Sequence, residues 1–249
     1  YSQSGSPDDA LADYERLLAL FPDDARTYYY RGNVLLALRR YAEAIADYDR
    51  ALALNPQDVT AWNNRGTAYG QQGDYEAALD SYNRALALDP AFADAYANRG
   101  LVYRNLARPD QALEDYNRAI QLDPNRAGSY YTRGLIYASL REYDTALVNL
   151  NRAVVLAPAD PQMVYMRGVI RTFLPDSAGA EADFLAALAL NPAFADVYAA
   201  LGLLYQGQGR TAEALTAYQQ HLALAGDDAQ PFAITGLQQL QEALSTPQG

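Results

Sequence analysis

The chain has 249 residues, a formal charge of −11, one histidine, no cysteine, and 19 basic residues that are all arginine. This balance excludes the basic stripe that nucleic acid or an anionic membrane surface requires. It also excludes disulfides, thiolate metal sites and lysine chemistry of any kind, and no apolar run approaches the ~18 residues of a membrane span.

In chain order, the polar lead Tyr1-Ser2-Gln3-Ser4-Gly5-Ser6 fits either a fragment boundary or a chain exported after signal-peptide removal, with the compartment otherwise unknown. Ser6-Pro7 reads as a helix start, a cap followed by proline at the first helical position. Ala10, Tyr14, Leu17 and Leu18 then give an apolar face that ends at Phe21-Pro22.

The stretch from Val59 to Phe92 shows the unit from which the rest is built. Trp62, Gly66 and Tyr69 share one face of a helix predicted over about 59–72. Gly73-Asp74 breaks it, with Asp74 as the next N-cap. Tyr75, Ala78, Leu79, Tyr82, Leu86 and Leu88 form a second apolar-periodic run, stopped where Asp89 precedes Pro90.

The same pattern returns every 34 residues, most plainly at Gly32, Gly66, Gly100, Gly134, Gly168, Gly202 and Gly236. Such a period decides the architecture before other signals do. A glycine inside a helix costs roughly 1 kcal/mol relative to alanine, so seven in phase imply close helix–helix approach. Ala44, Ala78, Ala112, Ala146, Ala180 and Ala214 stand twelve residues later, where the second helix would cross.

The expected organisation is one repeat domain over 1–249. It comprises an orphan second helix at 7–22, six 34-residue repeats at 25–58, 59–92, 93–126, 127–160, 161–194 and 195–228, and a first-type or capping helix within 229–245. The fifth repeat is irregular at Leu174-Pro175-Asp176-Ser177. The sixth has Gly226 in place of the closing proline and His221 where earlier units have alanine.

Trp62, Gly66, Tyr69, Ala78, Tyr82, Ala85 and Pro90 carry a resemblance to the tetratricopeptide repeat (TPR) family, and the resemblance extends over about residues 8–245. It implies an all-α, right-handed superhelical solenoid of antiparallel helix hairpins whose first helices line a concave groove for peptides or protein segments. Positions three before and one after each glycine should face that groove. With their neighbours, the candidates are Tyr29, Asn33, Asn63, Asn64, Asn98, Leu101, Arg104, Tyr131, Leu135 and Tyr165. The groove would be asparagine-rich early and apolar with tyrosines later. Asn64 and Asn98 resemble the short ladder with which relatives hold a peptide backbone through amide donors and acceptors. The basic clamp of the subfamily that grips chaperone C-termini is missing, and Asp94 would repel a carboxylate.

One covariation is internal to the chain. Arg31, Arg65, Arg99, Arg133 and Arg167 precede their glycines, and sixteen residues on stand Asp47, Ser81, Asp115, Asn149 and Asp183. In the sixth repeat both positions become apolar, as Leu201 and Ala217, so the two are expected to touch across each hairpin.

No catalytic or metal constellation emerges. His221 has no histidine to pair with, and the reading for it is a packed residue at a surface or interhelical position. The aspartate pairs lie at helix starts, where the helix dipole favours them. The chain therefore reads as non-enzymatic and free of cofactors, with no nucleic acid or membrane insertion. Its expected function is a scaffold that binds a protein or peptide. The alternative is a self-assembling protein joined head to tail into a helical filament, through Leu11, Tyr14 and Leu18 at one end and Leu237, Leu240 and Leu244 at the other.

Overall fold

The computed structural model describes residues 6–245, and every regular element among them is helical. The polar lead at 1–5 and the last four residues lie outside the described residues, as does the side chain of Leu244. The chain divides into two compact units, Tyr1–Pro124 and Asn125–Gly249.

In the first unit, α1 (Pro7–Leu20) packs on a series of hairpins: α2 (Ala25–Ala37) with α3 (Tyr41–Leu54), α4 (Val59–Gln72) with α5 (Tyr75–Leu88), and α6 (Ala93–Asn105) with α7 (Pro109–Leu122). The second unit pairs α8 (Ala127–Ser139) with α9 (Tyr143–Leu156), α10 (Pro161–Thr172) with α11 (Ser177–Leu190), and α12 (Ala195–Gly207) with α13 (Thr211–Ala225). α14 (Pro231–Ser245) then packs on α13 and α12.

The periodic glycines are where the paired helices meet. A Cβ on Gly66 would lie 2.8 Å from the edge of the Tyr82 ring, and one on Gly168 would lie 2.8 Å from Phe184. Tyr218 fills both the Gly202 and the Gly236 gaps, so one ring locks α14 onto the last hairpin. Tyr48, Phe184 and Tyr218 are fully buried, and each such ring contributes about 1.5–3 kcal/mol relative to an exposed one. The alanines of the second helices, Ala44 through Ala214, are likewise buried and allow the close crossing.

Inside each hairpin the chain reverses at the seventh residue after the glycine. There Arg39, Gly73, Ala107, Arg141 and Gly209 all adopt φ between 54° and 89°. The following N–H reaches back five residues, as Asp74 N–H does to the Tyr69 carbonyl at 3.0 Å, which is the Schellman way of ending a helix. In the fifth hairpin that position is Pro175, whose ring forbids positive φ. Accordingly α10 stops at Thr172, and the Asp176 side chain accepts from Gly179 N–H to start α11. This is the physical cause of the irregularity at Leu174-Pro175-Asp176-Ser177.

Between hairpins, side chains tie down the connection. Asp58 caps α4 by accepting from Ala61 N–H at 3.0 Å, and Trp62 Nε1–H donates to the Pro56 carbonyl at 2.9 Å. At the last connection there is no proline, α13 runs on to Ala225, and a 3-10 turn follows at Gly226–Asp228. His221 serves this irregular junction. It is fully buried rather than at a surface, its Nδ1 bonds the Ala195 carbonyl, and its Nε2 accepts from Gln230 N–H, both at 2.9 Å.

The arginine contacts form as their covariation implies. Arg31 makes a two-point bond to Asp47, Arg99 does so to Asp115, Arg65 reaches Ser81 and Arg133 reaches Asn149. Each of three arginines also reaches sixteen residues backward onto the preceding hairpin: Arg65 to Asp49, Arg99 to Asn83 and Arg167 to Asn151. The same guanidinium thus fastens one hairpin shut and stitches it to its neighbour. The hydrogen bond to Asp115 raises the Arg99 pKa further above its ordinary value.

Candidate functional site

In the first unit the first-helix side chains converge into a network of amides. Asn98 donates to Asn63 Oδ1 at 3.0 Å, Asn63 to Asn64 at 3.1 Å, and Asn64 to Asn33 at 2.9 Å. Asn33 Oδ1 also accepts from the Tyr48 hydroxyl, and Asn64 donates its second N–H to Tyr29. Five of the candidate residues are therefore brought together. Their amide groups bond chiefly to one another, however, and both N–H groups and the oxygen of Asn64 are engaged.

Asn63 does not line an open groove, since only 7 % of it is exposed. The cause is geometric. The position three before the glycine lies between adjacent hairpins, so Asn63, Ala97 and Ala199 are covered there, while the larger Tyr29, Tyr131 and Tyr165 are half-buried. The position one after the glycine does open outward, most clearly at Leu101 and Leu203. Leu101 and Arg104 are exposed on α6, outside the amide network. Tyr131 packs against the core around Leu150 and Ile170, and Leu135 is half-buried.

The second unit holds a cavity of about 660 Å³ between α10, α12 and α14. Its walls include Tyr165, Val169, Phe173, Phe184, Leu203 and Phe232, with Thr172, Ser177, Gln208 and Gln230 as uncharged polar groups. Among the described residues, Asp196 is the one charged lining residue. Tyr165 stands 5.0 Å from the Phe194 ring and 5.9 Å from Phe184. Burial, and next the Asp196 charge, raise the pKa of its hydroxyl. The volume lies within the range of pockets that hold ligands, roughly 300–1,000 Å³, and such sites are mostly apolar with a few placed polar groups.

Of the ten groove candidates only Tyr165 lines this cavity. Phe173, Phe184, Asp196, Gln230 and Phe232 were not among them. A signal for two of them exists, because Asp196 and Gln230 both stand six residues before a periodic glycine, Gly202 and Gly236.

The residues nominated for end-to-end joining are mostly used within the chain. Leu11 and Leu18 are buried, Leu11 in the core with Leu35 and Ile45, so they are not bare as expected. Leu237 and Leu240 pack against Ala199, Tyr218 and Ala233. Tyr14 is half-buried, and Leu244 falls outside the described side chains. The reason is that α1 and α14 each dock their apolar stripe on the adjacent hairpin.

Among the described residues no helix is long and apolar enough to cross a membrane. No curated protein matches the chain in sequence. Solved structures do resemble it. A chain of the APC/C hetero-tetramer Cut9–Hcn1 aligns with a TM-score of 0.75 at 19% identity, covering 96% of this chain and 46% of that one. This chain thus spans less than half the length of that relative. PilW, a widely conserved type IV pilus biogenesis factor, aligns at 0.74 with 18% identity, covering 87% and 98% of the two chains. YrrB, described as a TPR protein with an unusual peptide-binding site, aligns at 0.58 with 24% identity over 75% of this chain and 96% of its own. At these identities the likeness is one of fold. Sequence models of the tetratricopeptide repeat match residues 1–59, 59–92, 93–126, 115–148 and 197–232. Proteins built of these repeats are generally non-enzymatic scaffolds that bind proteins or peptides. With glycine-to-ring hairpins recurring through both units and repeat models matching along most of its length, the chain belongs to the tetratricopeptide repeat family.

Proposed function

We propose that this protein is a non-enzymatic scaffold that captures a polypeptide segment, and that the capture site is the first-helix face of the second unit. The observation that carries this reading is the apolar cavity of about 660 Å³ between α10, α12 and α14. Phe173, Leu203 and Phe232 are each more than 40 % exposed there, and large apolar side chains gathered at a pocket mark binding surfaces. A peptide-binding site in the TPR protein YrrB adds support by analogy of fold. The amide network of the first unit is the weaker candidate, because its members already satisfy one another.

The test is a selection of displayed random dodecapeptides on the full chain, run in parallel on Leu203→Glu. The substitution sets a charge at the mouth of the cavity without touching a buried side chain. Enrichment on the wild-type chain that disappears with Leu203→Glu is the expected result. Peptides that bind both chains equally would remove the cavity from consideration.

A further inference from the structure

The cavity has a chemical bias beyond being apolar. Its walls are mostly aromatic or aliphatic, and among the described residues the single charge on the lining is the Asp196 carboxylate. Asp196 sits in the first turn of α12, where the helix dipole favours an acid. Among the described residues no arginine forms an ion pair with it, although the neighbouring carboxylates Asp183 and Glu181 are both paired with arginine. The Asp196 charge therefore remains available at the edge of an aromatic pocket.

We infer that the cavity selects a segment carrying a basic side chain flanked by apolar residues, the stem lying on the aromatic walls and the cationic head meeting Asp196. This inference rests on the proposed capture site and names the chemistry of its occupant. A long basic side chain suits both parts of the site, because its methylene stem covers apolar surface while its head stays at the rim. Tyr165, Phe173 and Phe232 are aromatic members of the lining, and a cation near an aromatic face gains further attraction. An acidic segment meets the opposite field, since Asp196 faces the site and the whole chain carries −11.

The test takes the dodecapeptides enriched on the full chain and lost on Leu203→Glu. It measures them by fluorescence anisotropy against the wild-type chain and Asp196→Asn, with each basic position also made as citrulline or norleucine. The expectation is enrichment of arginine or lysine beside apolar residues, and binding weakened about tenfold by the neutral replacement. Asp196→Asn should shrink that difference to roughly twofold while leaving the neutral peptides' affinity unchanged, and salt should weaken only the charged peptides. Circular dichroism on Asp196→Asn controls for loss of fold.

Peptides that depend on Leu203 but show no basic preference, or whose preference survives Asp196→Asn, would overturn this inference and leave the capture site standing. If no enriched peptide depends on Leu203, the capture site itself fails and the inference fails with it.

Discussion

An alanine at Gly66 gains roughly 1 kcal/mol of helix propensity, but its methyl carbon would sit 2.8 Å from the buried Tyr82 ring. Overpacking of that kind costs about 1–3 kcal/mol, so Gly66→Ala is expected to lower the midpoint of urea unfolding. One turn on, the ledger reverses. A Cβ on Gly70 would meet Val102 at 3.7 Å, an ordinary contact. Gly70→Ala should therefore stabilise by up to about 1 kcal/mol. Opposite signs for the pair support packing as the reason for the glycines, and equal signs would contradict it. His221→Ala strips the Ala195 carbonyl and the Gln230 N–H of their shared partner and empties a fully buried site. Denaturant titration should show a loss of about 1–3 kcal/mol.

At the scale of the element, the helix-ending turn makes its own prediction. Arg141 holds φ at +64°, a region that costs an L-residue roughly 1–2 kcal/mol and glycine far less. Arg141→Gly should raise the thermal midpoint, whereas the same change at a helix interior would lower it. The last hairpin has lost its arginine ladder, and a different cluster holds it to its neighbour. Arg210 bonds Glu181 at 2.8 Å and also Glu213, and it lies 4.0 Å above the Tyr205 ring. The hydrogen bond from Arg210 holds both glutamates below their ordinary pKa. A depressed carboxylate contributes stability that is present above the unfolded value, about 4.3, and lost as pH falls through the folded one. The difference in midpoint between wild type and Arg210→Gln should thus be present at neutral pH and close below about pH 4. A gap of constant size across that range would argue against the ion pairs.

These elements also show what the sequence could disclose. The hairpins were legible because glycine, alanine and an aromatic recur in phase, and the arginine contacts because Leu201 and Ala217 change together. The backward reach of the same arginines to Asp49, Asn83 and Asn151 was hidden, since it depends on how one hairpin lies on the next. The left-handed turn was hidden too, because Arg39, Gly73, Ala107, Arg141 and Gly209 share a conformation and no residue type. The candidate site was only half legible. Just after their glycines, Leu101 and Leu203 are exposed while Asn33, Thr67, Leu135 and Val169 are half-buried, and whether the third position before a glycine is open depends on the neighbouring hairpin. Asn63 was misplaced for that reason, and Asp196 and Phe232 were missed because their roles exist only once α10, α12 and α14 are assembled.

At the scale of the whole molecule, the fastening of neighbouring hairpins within each unit makes stability a sum of local and neighbour terms, while the excess of acid draws in basic partners and turns away acidic ones. On the proposed reading, function lies in a stretch of first-helix surface of the second unit whose walls are apolar. The central claim is that this surface of the second unit receives a polypeptide. Amide hydrogen exchange with and without a peptide selected on the full chain tests it most directly. The account predicts added protection in α10, α12 and the start of α14, with α9, α11 and α13 unchanged. Protection confined to α11 and α13, or to the exposed Val148 and Val155 of α9, would contradict it.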